Sequence, residues 1–321
     1  MRLFQRLTTL LMLLCLGVGA QAADWPSKPV HLVVPYPPGG NVDLAARIVA
    51  DGLEKEFGQP FVVENRPGAG GMIAASYVVK SDPDGYTLFV APNGPVLFSP
   101  MLFRKDNYYW KDDFAPIGSI SFVPLVLQSN PELGMKSAEQ LFKYAQEHPG
   151  ELAMASPGAG TQNHLISEMM QRLLKTEWLT VHYKGNAPAT TDLLGGRVDF
   201  NFDQLTVAKQ YVTSGKLTAL AVTSPERLPA LPDVPTLKEL GYSDAVSETF
   251  TGLFAPAGTP DKIVNELNQA LAKVLADPAV VKKFETAGAD ARAMSVPDFK
   301  SFLQKEYDRW GTLIRGANIH R

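Results

Sequence analysis

Cysteine is almost absent from this chain, because Cys15 is the single one among 321 residues. It lies within the first 22 residues, so the remainder can form neither a disulfide bond nor a thiol nucleophile. Strong charge of one sign is also missing, since 30 basic residues oppose 33 acidic ones and basic residues never occur more than two in a row. A weakly acidic chain of this kind is not expected to bind nucleic acid.

Long hydrophobic runs are missing after residue 22, so no membrane span is predicted there. The first 22 residues differ in kind. Arg2 and Arg6 precede the apolar stretch LTTLLMLLCLGVGA, and the small-residue pattern AQA follows it. This order predicts a secretory signal peptide over residues 1–22, cleaved before Ala23. Because the residue before Cys15 is not small, we expect export to the periplasm without a lipid anchor.

The sequence also lacks the common enzyme motifs, with neither a G-x-S-x-G elbow nor a phosphate-binding G-x-x-x-x-G-K-[ST] loop. Its five histidines are scattered without metal-ligand spacing, so neither a metal nor another cofactor is expected. A triad of Ser156, His164 and an aspartate would require a base about one helical turn into the helix that follows the serine. A secreted hydrolase is therefore disfavoured.

An apolar segment, VHLVVPY, runs into the loop Pro37–Gly40 and then into a helical pattern. We predict a buried strand, a tight loop, and a helix from Asn41 to Phe57 that stops at Gly58, with Asn41 as its N-cap. A loop that opens directly onto a helix start exposes backbone N–H groups, which is where an anion can be held. A tight turn without a ligand is the alternative interpretation.

The same design recurs in ELAMASPGAGTQNHLISEMMQRLLK, where a strand and a Pro-Gly loop precede a helix predicted to be capped by Thr161. Strand, loop and helix alternate at a rhythm typical of a mainly parallel α/β sheet. In such sheets ligands bind beyond the carboxyl ends of the strands. Two α/β units with facing loops predict a cleft for a small molecule, although Ser156 and Thr161 could serve only as helix caps.

Six segments occur in one order: PYPPGGNVDLAAR, VVENRPGAGGMIAA, DPDGYTLFV, HYKGNAPATTDLLGGRVDFNFD, GKLTALAVTSPERLPALPDVPTLKELG and GLFAPAGTP. Together they closely resemble the Bug family, the periplasmic substrate-binding receptors of tripartite tricarboxylate transporters. The resemblance extends from about Trp25 to Trp310. It departs from the usual family pattern at His182, where proline is usual, and at Pro95, where threonine or serine is frequent.

The resemblance implies an α/β fold of the periplasmic-binding-protein kind, a type II-like Venus flytrap whose two lobes enclose a ligand cleft. Residues 23–123 and 250–321 are expected to form lobe 1, and residues 124–249 to form lobe 2. The chain is expected to cross between the lobes near Val123 and Phe250.

The resemblance also implies how the ligand is held. Ser156, Gly160 and Thr161 are expected to bind its carboxylate through amides and hydroxyls, and the Pro-Gly-Gly loop to reach its other end partly through water. Asp203 matches an acidic residue that helps hold such water, although an edge-of-strand surface carboxylate is the alternative. Tyr36, more often a core aromatic, and Asn93, in a cleft-wall loop, join the predicted set. The predicted ligand-binding residues are Tyr36, Pro38, Gly39, Gly40, Asn93, Ser156, Gly160, Thr161 and Asp203.

The expected function is therefore non-catalytic capture of a small carboxylate, aliphatic or aromatic, by a monomeric periplasmic protein. The implied partners are the integral membrane subunits of a transporter. A receptor that reports the same ligand to a membrane sensor remains the alternative.

Overall fold

The computed structural model describes residues 25–103 and 108–317. The predicted signal peptide lies outside these residues. None of the helices in the described part is long and apolar enough to span a membrane. One curled sheet carries the fold, with helices on both of its faces. Its strands are β1 (Val30–Val34), β2 (Phe61–Asn65), β3 (Thr87–Pro92), β4 (Phe114–Ser129), β5 (Ala153–Ser156), β6 (Leu179–His182), β7 (Phe200–Gln204), β8 (Thr218–Val222), β9 (Glu248–Pro256) and β10 (Asp290–Ala291).

The helices fill the connections between these strands and form the C-terminal segment. Short 3₁₀ turns and one π-helical segment, Gly94–Phe98, complete the structure. The α-helices are α1 (Asn41–Phe57), α2 (Met72–Val79), α3 (Ser99–Phe103), α4 (Trp110–Asp113), α5 (Ala138–Glu147), α6 (Gln162–Leu174), α7 (Asn186–Leu194), α8 (Leu205–Thr213), α9 (Asp261–Ala276), α10 (Pro278–Ala287) and α11 (Val296–Ala317).

The strand order is β2-β1-β3-β9-β4-β7-β5-β6, with β8 and β10 pairing additionally with β4. The outer trios β2-β1-β3 and β6-β5-β7 are parallel, as the strand–loop–helix rhythm predicts. The centre differs from the expected mainly parallel sheet, because β9 and β4 pair antiparallel with each other and with their neighbours. The sheet neighbours of β4 and β9 lie far from them in the chain, so the local βαβ pattern does not predict these pairings.

Strand β4 changes partner midway along its length. It pairs with β9 as far as Pro124 opposite Glu248, and with β7 from Leu125 opposite Gln204. We call the part built on β1, β2, β3 and β9 lobe 1, and the part built on β5, β6, β7 and β8 lobe 2. The change of partner lies beside the predicted crossings at Val123 and Phe250. The residue limits of the two lobes remain a prediction.

The predicted first unit is largely confirmed. The strand ends at Val34, before Pro35, and α1 runs from Asn41 to Phe57. Gly58 ends the helix with a φ of 67°, a left-handed conformation that glycine adopts without steric cost. The N-cap differs from the prediction, since Gly40 occupies that position and Asn41 is the first helical residue. The Asn41 side chain instead accepts a hydrogen bond from Thr206 in lobe 2 at 3.1 Å.

The hydrophobic core forms two large clusters on the two sides of the sheet. Along β3, Phe89 joins one cluster, whereas its neighbours Leu88 and Val90 join the other. This alternation follows from the two-residue period of a strand with both faces covered. The C-terminal helix α11 closes the first cluster through Trp310, whose ring centre lies 5.4 Å from that of Phe98. Helix α11 therefore packs against the segment Gly94–Phe98, which follows β3.

Replacing Trp310 should test how strongly α11 stabilises the fold. Its side chain is 1% exposed, and its indole N–H donates to Glu306 at 3.0 Å. Removing a buried tryptophan leaves a large cavity, so Trp310→Ala should lower the free energy of unfolding by about 3–5 kcal/mol. Urea denaturation followed by circular dichroism measures this change. Lys305→Ala, at an exposed position of the same helix, is the control and should change stability by less than about 0.5 kcal/mol.

Candidate functional site

A small, partly enclosed cavity of about 20 Å³ lies between the two lobes. This is room for about one water molecule and is well below the range of about 300–1,000 Å³ that small-molecule pockets span. Its described lining includes no residue of formal charge. Amide side chains predominate, supplemented by two threonines and a tyrosine. The lining residues are Tyr36, Asn41, Val42, Pro92, Asn93, Gly94, Pro157, Thr161, Gln162, Asn163, Asn186, Gln204 and Thr249.

Three of the lining amides are each the first residue of a helix. Asn41 begins α1, Gln162 begins α6 and Asn186 begins α7. The first backbone N–H groups of a helix have no intrahelical acceptor, and the helix dipole places partial positive charge there. Three helix starts therefore converge on one cavity, which favours an anionic group without a cationic side chain.

The Pro-Gly-Gly loop is held in place by Asp43. Its carboxylate accepts from the Gly39 amide at 3.0 Å, from the Arg47 guanidinium at 2.9 and 3.0 Å, and from the Asn65 amide at 3.0 Å. Burial raises the pKa of Asp43, but these donors together outweigh that effect and leave the pKa below its usual value. The Gly39 amide, one of the predicted ligand contacts, thus already has a partner in the protein. Pro38 and Gly39 are exposed, whereas Gly40 is buried.

The loop before α6 is also ordered by its own hydrogen bonds. The Ser156 hydroxyl donates to the Gly158 carbonyl at 3.1 Å, and the Thr161 hydroxyl donates to the same carbonyl at 2.7 Å. Thr161 accepts from the His164 amide at 3.3 Å, which confirms it as the N-cap. The remaining N–H groups at this helix start belong to Gln162 and Asn163, and neither has an acceptor among the described residues.

The Gly160 amide donates to Nδ1 of His164 at 3.2 Å. Burial, assisted by the nearby His182 ring, lowers the pKa of His164 to about 4. The imidazole is therefore neutral near pH 7, so Nδ1 can accept this hydrogen bond. His164 therefore stabilises this loop, and the backbone N–H of Gly160 already has an acceptor within the protein.

Asp203 lies behind the cavity wall and is 1% exposed. It accepts a short hydrogen bond from the Asn186 side chain, one from the Thr190 hydroxyl at 3.1 Å and one from the backbone N–H of Gln204 at 2.9 Å. Burial raises the pKa of Asp203 to about 7, although these donors act in the opposite direction. The carboxyl thus orients Asn186 and Gln204, which line the cavity themselves. This position excludes the alternative of an exposed carboxylate at a strand edge.

The Gln204 side chain extends this network across the cavity floor. It accepts from Asn186 at 2.7 Å, donates to Asn163 at 2.9 Å and donates to Thr249 at 3.1 Å. A buried amide with all of its partners in place holds one orientation, since rotating it would break several bonds at once. The floor of the cavity is therefore preorganised.

The structure thus divides the nine predicted site residues into three groups. Tyr36, Asn93 and Thr161 line the cavity. Gly40 lies at its edge, since a β-carbon there would stand 3.5 Å from the Asn186 side-chain oxygen. The other five are adjacent to the lining rather than part of it. A ligand-binding role for each of the nine stays a prediction. Those in the last group are Pro38, Gly39, Ser156, Gly160 and Asp203.

Of the six lining amides, the sequence predicts only Asn93 as a ligand contact. It predicts Asn41 as a helix cap, and it does not single out Gln162, Asn163, Asn186 or Gln204. A signal was present, because an amide residue directly follows a glycine or the cap threonine at three helix starts, in GGN, GTQN and KGN. No group of three or more histidine, cysteine or acidic residues could hold a metal ion within residues 25–103 and 108–317.

Comparison with known proteins matches residues 45–319 to the tripartite tricarboxylate transporter family receptor. The chain belongs to this family. Protein BugT of Bordetella pertussis is 36% identical over 308 residues, which cover 94% of each chain. Among solved structures, Rpa4515 of R. palustris with adipate superimposes with a TM-score of 0.89 at 35% identity, covering 92% of this chain and 99% of that one.

A second solved structure, MatC from Rhodopseudomonas palustris with bound malate, has a TM-score of 0.86 at 33% identity, covering 90% of this chain and 100% of that one. The family comprises transporter-associated solute-binding receptors rather than enzymes. The periplasmic binding protein BugD superimposes with a TM-score of 0.85 at 33% identity, covering 92% of this chain and 99% of that one, so the two-lobed periplasmic-binding-protein fold expected from the sequence is confirmed.

The two buried aspartates should give opposite dependences of stability on pH. The pKa of Asp203 in the folded protein is raised to about 7, so the folded state keeps a proton that the unfolded state releases near pH 4. Its contribution to stability is greatest below pH 4 and falls by at most about 1.4 kcal/mol per pH unit as the pH rises toward 7. The pKa of Asp43 is lowered, so its contribution is lost as the pH falls below about 4.

Urea unfolding of the wild type, Asp203→Asn and Asp43→Asn between pH 3 and 8 measures both effects. As the pH rises from 4 to 7, the wild type should lose stability relative to Asp203→Asn. Asp43→Asn serves as the control, and its difference should change mainly below pH 4 and in the opposite direction. A pH-independent difference for Asp203→Asn would contradict the raised pKa.

Proposed function

We propose that this protein is a periplasmic receptor that captures a small carboxylate between its lobes and delivers it to the membrane subunits of a tripartite tricarboxylate transporter. The cavity, lined by amides and helix starts and without charged side chains, carries the proposal. Relatives of similar structure bind adipate and malate, which are both small carboxylates. The periplasmic location rests on the family and on the signal peptide predicted from residues 1–22.

The free backbone amides of Gln162 and Asn163 are the candidate carboxylate donors. They stand at the start of the 13-residue helix α6, where partial positive charge favours an anion. Hydrogen bonds between amides and a carboxylate are roughly twice as strong as neutral ones. Such a site needs no arginine, which agrees with the uncharged lining. The predicted Ser156, Gly160 and Thr161 would then act by holding this loop in shape.

We infer that binding proceeds without catalysis. The Ser156 hydroxyl is engaged with Gly158, and the Nδ1 atom of His164 is engaged with the Gly160 amide. Because Nδ1 accepts this bond, the proton of the neutral ring lies on Nε2, 3.6 Å from Glu168, so His164 has no ring nitrogen free to take a proton from Ser156. This arrangement supports the receptor over the hydrolase considered from the sequence.

Glycines at the rim of the cavity support closure of the lobes around the ligand. A β-carbon on Gly94 of lobe 1 would lie 2.9 Å from the Gly160 carbonyl oxygen of lobe 2, and one on Gly185 would lie 2.8 Å from the Pro37 ring. A β-carbon on Gly70 would clash with the Ala159 carbonyl. Only residues without a side chain allow the rims to meet this closely. A ligand drives closure to the extent that it binds the closed form better.

A thermal-shift screen tests the proposed carboxylate specificity. The purified protein is unfolded and refolded to remove any resident ligand, then mixed with citrate, C4–C6 dicarboxylates, hydroxy acids, amino acids and aromatic acids. A ligand at 100 times its Kd should stabilise the fold by about 2.7 kcal/mol, seen as a shift of several degrees. The fully amidated analogue of each acid is the control and should give no shift. If none of the acids in the panel raises the melting temperature, the proposal is contradicted.

Gly94→Ala should weaken binding of the acid found in that screen by about 10-fold to 100-fold, because the new methyl group opposes closure. The backbone at Gly94 is not in the left-handed region, so alanine adds no backbone strain. Gly195→Ala is a matched control, since a β-carbon there lies no closer than 3.4 Å to any atom, at a helix end outside the cavity lining. Calorimetric titration measures both affinities. Equal affinities for the two variants would refute the role of the rim.

A further inference from the structure

Three lining side chains each leave one polar atom without a hydrogen-bond partner. The atoms are Oδ1 of Asn93, Nε2 of Gln162 and Nδ2 of Asn41. The residues are 0%, 2% and 3% exposed, so bulk water does not reach them. Buried polar groups in native proteins are almost always paired, so an unpaired one in a binding cavity calls for a partner, which an ordered water or a group of the ligand can supply.

The unpaired atoms of Asn93 and Gln162 belong to a bridge between the lobes. Nδ2 of Asn93 donates to Oε1 of Gln162 at 2.7 Å. Each amide carries one donor end and one acceptor end, so this bond leaves one donor and one acceptor free, whichever way the pair is oriented. Asn41 adds a second donor, because its oxygen accepts from Thr206. The cavity thus presents two donors and one acceptor.

These atoms restrict the chemistry of the ligand. An ionised carboxylate only accepts hydrogen bonds, so it can satisfy the two donors but not the acceptor. An ammonium group could donate to the acceptor, but it would be buried without an anion in contact. Asp203 does not line the cavity, and its oxygens already accept from Asn186, Thr190 and the Gln204 amide. An uncharged group that donates and accepts satisfies both kinds of atom.

We propose that the ligand carries, besides its carboxylate, a hydroxyl or carboxamide group that the Asn93–Gln162 bridge recognises. The inference rests on the carboxylate receptor proposed above and narrows its substrate class. Because the bridge joins the lobes, a group bound to both amides makes contacts that exist only in the closed form. Recognition of this group and closure are thereby coupled.

Calorimetric titration of matched acids on the refolded protein tests the inference. Malate is compared with succinate, 2-hydroxyglutarate with glutarate, and succinamate with propanoate, in which hydrogen replaces the carboxamide. Aspartate and glutamate replace the hydroxyl by an ammonium group. At least one hydroxyl or carboxamide acid should bind about 10-fold to 100-fold more tightly than its hydrogen counterpart, because that counterpart leaves buried amide groups unpaired. It should also bind more tightly than the corresponding ammonium acid.

Variants of the bridge assign the selectivity to these residues. Asn93→Leu and Gln162→Met keep approximate size and remove the polar ends, so the affinity ratio within each pair should fall to near 1. Thr249→Val is the control, because Thr249 lines the same cavity and its hydroxyl accepts from Gln204. That variant should alter affinity while preserving the ratio. A purely structural role of the bridge would lower all affinities together and leave the ratio unchanged.

The outcomes separate this inference from the proposed function. Acids that bind with ratios near 1 in the wild type would overturn the inference and leave the carboxylate receptor standing. An ammonium acid that binds best would overturn it in the same way. Ratios that survive in both bridge variants would overturn recognition by Asn93 and Gln162. Absence of binding by every acid would overturn the proposed function together with the inference.

Discussion

The buried carboxyl of Asp203 constrains the whole cavity. It accepts hydrogen bonds from Asn186, Thr190 and the Gln204 backbone, and Gln204 continues to Asn163 and Thr249. Strand β7 supplies Asp203 and Gln204, the starts of α6 and α7 supply Asn163 and Asn186, and β9 supplies Thr249. Elements distant in the chain are thus joined by one polar network. Each amide keeps its orientation because its hydrogen-bond partners keep theirs, and in this way buried polar groups specify a single arrangement.

A second constraint is the absence of charge from the described lining. Burying an ion without a partner is costly, and a fixed cation in the cavity would have to be desolvated at each closure. Helix starts avoid this cost, because their partial charges belong to the backbone and lose little hydration on closure. The ion pair of Asp43 and Arg47 accordingly lies outside the lining, where the arginine is half exposed and Asp43 holds the Pro-Gly-Gly loop through the Gly39 N–H.

The two lobes share one sheet. Strand β4 runs from lobe 1 into lobe 2 and exchanges β9 for β7 between Pro124 and Leu125. Backbone pairing is therefore continuous at the junction, whereas the facing loops of the lobes meet through van der Waals contacts at Gly94 and Gly185 and through side-chain hydrogen bonds from Asn93 to Gln162 and from Thr206 to Asn41. This difference agrees with the closure proposed above.

The sequence by itself determined the elements whose formation depends on residues close together in the chain. The run from Val30 to Val34, the helix from Asn41 to Phe57, its glycine stop and the Thr161 cap all follow from residue spacing and helix-end chemistry. The order of six sequence segments was sufficient for the family. Only the tertiary structure decided which donors are free. Gly39, Ser156 and Gly160 have their hydrogen bonds satisfied by Asp43, Gly158 and His164, while amides at three helix starts face the cavity. A hydrogen bond across the fold depends on distance in space, and spacing along the chain carries no record of it.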